Sequence, residues 1–230
     1  MSWLQLASIA FAFLSPVALW AVHRRNPDPR FERFFARFYA GLLIAIFFAG
    51  PLQNYLEGRL DLAHMLPMHL CDWALVAVVV ALLRQSPVCF ELAYFWGLCG
   101  TLQALFTPAI DANLEWWRLI VFFVDHAAIV ASVLFLMLVA RMRPRTLWNV
   151  LLWSEFYLLA ALTANAWTGG NYGFLSHQPA TPSMLDLFSD THWLYVVEIN
   201  AVGLLFFAAL YAPWMIADRI GARRIAVTEE

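Results

Sequence analysis

Residues 118–140 read RLIVFFVDHAAIVASVLFLMLVA, with Arg118 at the edge and Asp125 the one charge inside. At 1.5 Å per residue this stretch makes a helix of about 34 Å, enough to cross a hydrocarbon core of about 30 Å. Six more apolar stretches accompany it, at about 3–22, 36–53, 65–83, 88–107, 147–167 and 192–217. Those at 65–83 and 88–107 are the least clean, because His69, Asp72 and Glu91 lie inside them. The composition agrees: 63% of the 230 residues are hydrophobic and 13% charged, with a mean hydropathy of +0.68. Ordinary soluble domains carry about 25% charged residues, so a soluble globular domain is excluded, as is disorder. Three cysteines make no disulfide scaffold, and a net charge of −2 offers no basic field to a nucleic acid. The expectation is an all-α polytopic membrane bundle: seven transmembrane helices in one domain over 1–230.

The arginines set the orientation. Arg24, Arg25, Arg30, Arg33, Arg37, Arg84, Arg141, Arg143, Arg145, Arg219, Arg223 and Arg224 fall on one side of the seven-span reading, and Arg59 and Arg118 on the other. Basic residues concentrate in cytoplasmic loops, which places the N-terminus outside and the C-terminus in the cytoplasm. Met1–Ser8 carries no positive charge, whereas His23-Arg24-Arg25 follows the first stretch; this is the pattern of an anchor rather than of a cleaved signal. All 14 basic residues are arginine, which fits a GC-rich bacterial genome and suggests the cytoplasmic (inner) membrane. Phe31, Phe34, Phe35 and Phe38 recur at helical spacing between Arg30, Arg33 and Arg37 and read as an interfacial amphipathic turn. The connection 168–191, outside, is much longer than the usual 2–8 residues between bundle helices, making it a lid or site-wall candidate with a short helix near Met184–Phe188.

Polar side chains inside a membrane are costly, so their depth is informative. Cys71 lies about six residues and His126 about eight residues in from the outer ends of their stretches, both roughly 9–12 Å deep. Glu198 and Asn200 reach a similar depth, while Asn54, Gln103 and Asn165 lie nearer the outer end. These groups converge on the outer half of the bundle. A nucleophile needs a base within reach. His69 is two residues from Cys71, about 200° around a helix, so the base comes from another helix, and His126 has the matching depth. Asp125 adjoins His126 but points about 100° away, while His69, Asp72 and Trp73 share a face of their own. A lone intramembrane cysteine is ordinarily a packing residue and a lone histidine a bridge between helices. Ala93, Gly97, Gly100 and Ala104 form a close-packing seam. Metal binding could draw on His69, Asp72, His126 and Glu198, but no ligand spacing specifies it, and none is expected.

The strings His69-Leu70-Cys71-Asp72-Trp73 and Glu91-Leu92-Ala93-Tyr94-Phe95-Trp96-Gly97-Leu98-Cys99-Gly100-Thr101-Leu102-Gln103-Ala104 resemble the YwaF family of bacterial integral membrane proteins, which groups with animal transmembrane protein 164. Phe122-Phe123-Val124-Asp125-His126 and Gly170-Asn171-Tyr172-Gly173-Phe174-Leu175 extend the resemblance, as do Pro179, Ser183, Leu185 and Asp186; it covers about Gln53 to Tyr195. The resemblance implies a seven-helix fold and, from the animal member, a cysteine-dependent transfer of an acyl chain from a phospholipid to a lyso ether lipid. It is also similar in arrangement to small multipass lipid hydrolases that pair a nucleophile with a histidine. Carried over, Cys71 matches the nucleophile and His126 the histidine, while Asp72 departs from the animal pattern.

The expected function is therefore a membrane-embedded phospholipid acyl-chain transferase or lipid hydrolase, working through a thioester on Cys71 with His126 as base. Its donor is a phospholipid and its acceptor a lysophospholipid, with no cofactor. Gln103, Asn54, His69 or Asn171-Tyr172 would hold the oxyanion, and Asp72, Asp125, Glu198 and Asn200 complete the polar lining. The alternative is a seven-helix transporter or sensor that binds a small polar ligand in an outward-facing pocket through Glu198, Asn200, Asp125 and His126.

Overall fold

A computed structural model describes residues 1–59, 61–110 and 114–228, with side chains as far as residue 220. The side chains of Arg223 and Arg224, counted in the arginine asymmetry, lie outside the described residues. The chain is all-α, with no strand among the described residues. In order come α1 (Trp3–Arg25), α2 (Pro29–Leu56), the single turn α3 (Leu62–Met65), α4 (Leu70–Arg84), α5 (Pro87–Trp96), α6 (Leu102–Phe106), α7 (Trp116–Leu138), α8 (Trp148–Thr168) and α9 (His192–Thr228).

Local chemistry explains the starts and stops. The Ser2 hydroxyl accepts from the Gln5 amide at 3.1 Å to open α1, and His23, Arg24 and Arg25 complement the dipole of its last turn. Asp28 caps α2 and Ser86 caps α5, each followed by a proline whose missing N–H costs nothing at the first helical position. Gly169 closes α8 at φ 72°, the left-handed conformation that glycine adopts without strain. The last carbonyls of α6 are taken by α1, where Gln5 Nε2 donates to Leu105 O at 2.8 Å.

Among the described residues six helices are long and apolar enough to cross a membrane: Trp3–Arg25, Pro29–Leu56, Pro87–Phe106, Trp116–Leu138, Trp148–Thr168 and His192–Ile220. The stretch 65–83, expected as a span of its own, is not among them. Pro67 interrupts it, leaving α3, an irregular Leu66–His69 link and the 15-residue α4, which at about 22 Å falls short of the core thickness. The Phe31–Phe38 segment, expected to lead into the second helix, forms the first part of α2.

The central element is α7, against which α1, α2, α4, α5 and α6 all pack. Ala127, Ala128, Ala131 and Ser132 are buried on it, and such small residues let neighbouring backbones approach closely. Outward-facing residues such as Leu14, Leu159 and Leu205 are exposed, as they are when lipid rather than water covers a helix. Buried Glu91, in α5, accepts from the amides of Arg145 (2.9 Å) and Thr146 (3.1 Å) and from Asn149 Nδ2 (2.6 Å), tying the α7–α8 connection to the bundle.

Candidate functional site

The Pro67 break decides where Cys71 sits. With the helix restarted at Leu70, the half-buried Cys71 occupies the first turn of α4. His69 is extended (φ −78°, ψ 152°), and its amide donates to Asp72 Oδ2 at 2.9 Å. The Gly173 amide donates to His69 Nδ1 at 3.4 Å, while Tyr172 and Phe174 pack around the ring. His69 and Asp72 thus shape the start of the helix, and Trp73 turns to Trp96, Phe156 and Tyr157.

On α7, buried His126 donates from Nδ1 to the carbonyl of Phe122 at 2.7 Å, which leaves Nε2 as the free, basic nitrogen. The two helices bring Cys71 Sγ, a carboxylate oxygen of Asp125 and a ring nitrogen of His126 to within 4.8 Å of one another. Asp125 Oδ2 is 3.6 Å from His126 Nδ1, beyond hydrogen-bonding distance, so Phe122 orients the ring. Among the described residues Asp125 Oδ1, which is buried, has no hydrogen-bond partner.

Between α5 and α6 the helix widens over Gly97–Thr101 into a turn of i→i+5 bonding, a feature often found at functional sites. This turn packs against both α4 and α7. A Cβ at Gly97 would come within 3.2 Å of Val133 Cγ2, and one at Gly100 within 3.2 Å of Leu70 Cδ2. The seam is therefore a packing device, and it holds the two site-bearing helices together. Thr101, in the same turn, has a buried hydroxyl oxygen without a partner among the described residues.

A cavity of about 390 Å³ begins at Pro67 and Asp72 and follows α4 past Trp73, Val76 and Val80 to Leu92 and Trp96 of α5. Asp72 is the one charged residue among its lining residues, which do not include Cys71 or His126.

The TMEM164 family matches residues 1–211. The chain belongs to that family. An uncharacterized protein of Treponema pallidum (strain Nichols) is 31% identical over 163 residues, 69% of this chain and 66% of the relative, so the chain spans just under two thirds of that relative's length. No solved structure matches.

Other residues expected at the site are committed elsewhere. Asn54 Oδ1 accepts from Arg118, part of a cluster with Glu57, Arg59 and Glu115 at the end of the bundle opposite Arg84. Arg118 beside Glu115 holds that carboxyl below its ordinary range. Asn171 folds its own loop, accepting from the Ser176 and His177 amides and donating to the His177 carbonyl. The Tyr172 hydroxyl donates to Leu62 O at 2.5 Å and accepts from the Leu66 amide at 2.9 Å, clipping the loop to the Pro67 break. Glu198 Oε2 accepts from the Ser189 amide at 2.7 Å. Among the described residues no hydrogen bond joins Gln103, Glu198 or Asn200 to Cys71 or His126. The metal-type set His69, Asp72, His126 and Glu198 does not assemble among the described residues; Cys71, Asp125 and His126 do. Sequence reasoning missed the orienting carbonyl of Phe122 and the widened turn; Gly97 and Gly100, read as packing alone, were the available signal for the turn.

Proposed function

We propose that the chain is a lipid acyl-chain transferase whose nucleophile is Cys71 and whose base is His126. The observation that carries this reading is the approach of Cys71 Sγ and a His126 ring nitrogen to within 4.8 Å across two helices. Membership of the TMEM164 family supports it. His126 Nε2 takes the thiol proton as sulfur attacks the ester carbonyl of a phospholipid. The C–S bond forms, the C–O bond breaks, and the proton passes to the departing lysophospholipid alkoxide. In the second half-reaction His126 takes the proton of a lysolipid hydroxyl, whose oxygen attacks the thioester. A new ester forms and the thiol is restored. With water as acceptor the same steps hydrolyse the donor.

The oxyanion is best met by backbone. First-turn amides have no intrahelical acceptor, and those of Leu70 and Cys71 stand beside the Cys71 thiol at the start of α4. The apolar cavity running from Asp72 along α4 has the lining an acyl chain requires. The alternative, a small-ligand site using Glu198, loses that carboxylate to the Ser189 amide.

In proteoliposomes containing labelled phospholipid and lysolipid, the wild type is expected to exchange acyl chains and yield a hydroxylamine-sensitive acyl adduct at Cys71. Cys71→Ala should abolish both. His126→Ala should lower the rate by about 10²–10⁴-fold, as loss of a general base does. Full exchange by both variants sinks the proposal.

A further inference from the structure

At the opposite end of the bundle a second cleft, of about 560 Å³, opens between the start of α2, the end of α4 and Ala140 beyond α7. Its polar lining is Arg33, Arg37 and Glu32 from α2, with Arg84 and Gln85 from α4. Gln85 Nε2 donates to Glu32 Oε1 at 2.9 Å and fixes one wall. Gln85 adopts φ 50°, a left-handed conformation that a non-glycine residue holds only where its surroundings impose it.

The charges in this cleft do not balance. Three guanidinium groups meet one carboxylate, and among the described residues no carboxylate oxygen lies within 4.0 Å of Arg33, Arg37 or Arg84. Of the other arginines at this end, Arg143 pairs with Asp218 at 2.6 Å and Arg24 lies over Trp20. Arginines marking the inner side of a membrane need only be near the surface; nothing in that role draws three of them from two helices into one concavity. Like charges converge there at a cost that an anion would offset, and the planar guanidinium suits phosphate oxygens best.

The neighbouring surface identifies the carrier of the anion. Phe34 and Phe38 stand one residue beyond Arg33 and Arg37, forming a parallel i, i+4 stripe on α2, and both are exposed. Leu83, within the cleft lining, is exposed as well. Cationic groups lie beside exposed apolar ones, a pairing that fits a lipid whose headgroup enters the cleft while its chains run along the phenylalanines; soluble phosphate would use the first feature only. The two uncompensated positive charges match a headgroup with two negative ones.

We propose that this cleft binds the phosphate headgroup of an anionic phospholipid of the adjacent leaflet, preferring a dianionic one. The site is separate from Cys71 and His126 and does not depend on their chemistry.

Full-length protein in phosphatidylcholine nanodiscs doped with cardiolipin, phosphatidate or phosphatidylglycerol tests the proposal by native mass spectrometry. The expected result is one retained anionic lipid per chain, cardiolipin or phosphatidate above phosphatidylglycerol. The double variant Arg33→Gln/Arg84→Gln should reduce retention about 30-fold, roughly fivefold per arginine. Arg24→Gln/Arg25→Gln, on the same face but outside the cleft, should leave retention unchanged. Equal losses in both pairs would mean general surface attraction and overturn the site. Displacement of the lipid by inorganic phosphate, with phosphate alone binding as tightly, would overturn the lipid assignment. Should the double variant fail to fold, Arg37→Gln alone is expected to lose about fivefold, and unchanged retention there overturns the proposal.

Discussion

Cys71 meets a histidine that its own helix could not supply. His69 is turned away and held by Asp72 and Gly173, whereas His126 comes from the facing α7 with its ring fixed by Phe122 O. Cys71, Asp125 and His126 are also of the types that ligate zinc, since thiolate, imidazole and carboxylate all suit that ion. Micromolar zinc is therefore expected to suppress acyl exchange reversibly, with EDTA restoring the rate. Asp125→Asn should weaken this inhibition while leaving the acyl adduct on Cys71; inhibition unchanged by that substitution would separate the metal effect from this cluster. That Cys71 and His126 share a depth was legible in the sequence as a count from the ends of their stretches, although α4 restarts at Leu70 and the count of six residues for Cys71 does not describe it. The fates of Asn54, Asn171 and Glu198 were not, because each is engaged by a partner in a connection or at a helix end, where no period predicts who meets whom.

At the scale of elements, the connection 168–191 acts as a clamp on the break before α4. Asn165 grips Tyr172 from both sides, accepting from its amide at 2.7 Å and donating to its carbonyl at 3.0 Å, while the Tyr172 hydroxyl reaches Leu62 and Leu66. Two glycines make the close fit possible. A Cβ at Gly170 would lie 2.7 Å from Ala63 O, and one at Gly173, whose φ is +64°, would lie 2.5 Å from the Tyr157 hydroxyl. Gly173→Ala is expected to destabilise the clamp by at least the roughly 1–2 kcal/mol of a left-handed L-residue. Limited proteolysis within 168–191 should accelerate and alkylation of Cys71 should quicken, while the melting of the remaining bundle moves less. Unaltered proteolysis and labelling would show that the loop is not what holds the start of α4. The sequence announced a long connection rich in turn residues, and Pro67 warned of a break. It could not show that one tyrosine joins the two, since that contact spans 110 residues.

For the whole molecule the number of crossings turns on α4. Its length argues against a crossing, since 15 residues give about 22 Å. Its attachments argue for it. Its start is bound to the 168–191 connection through His69, and its end to the first turn of α2 through Gln85 and Glu32. The far end of α2 in turn meets the start of α7 through Asn54 and Arg118. Thus α4 connects the same two ends of the bundle as the 28-residue α2, with the partly exposed α3 and Leu66–His69 link before it. Seven crossings put the chain termini on opposite sides, and six put them together. They also make opposite statements about the arginines: with α4 crossing, Arg84 joins Arg33 and Arg37 on the basic side, as their shared cleft requires. A cysteine introduced at Ser2 and one at Ala222, each in a background lacking Cys71, Cys89 and Cys99, should be labelled by a membrane-impermeant maleimide from opposite faces of sealed vesicles. Ser2 should react from the outside and Ala222 only after permeabilisation. Labelling of both from one face would make α4 a re-entrant segment, and Cys71 would then open to the membrane from the tip of a half-helix rather than from the first turn of a crossing one.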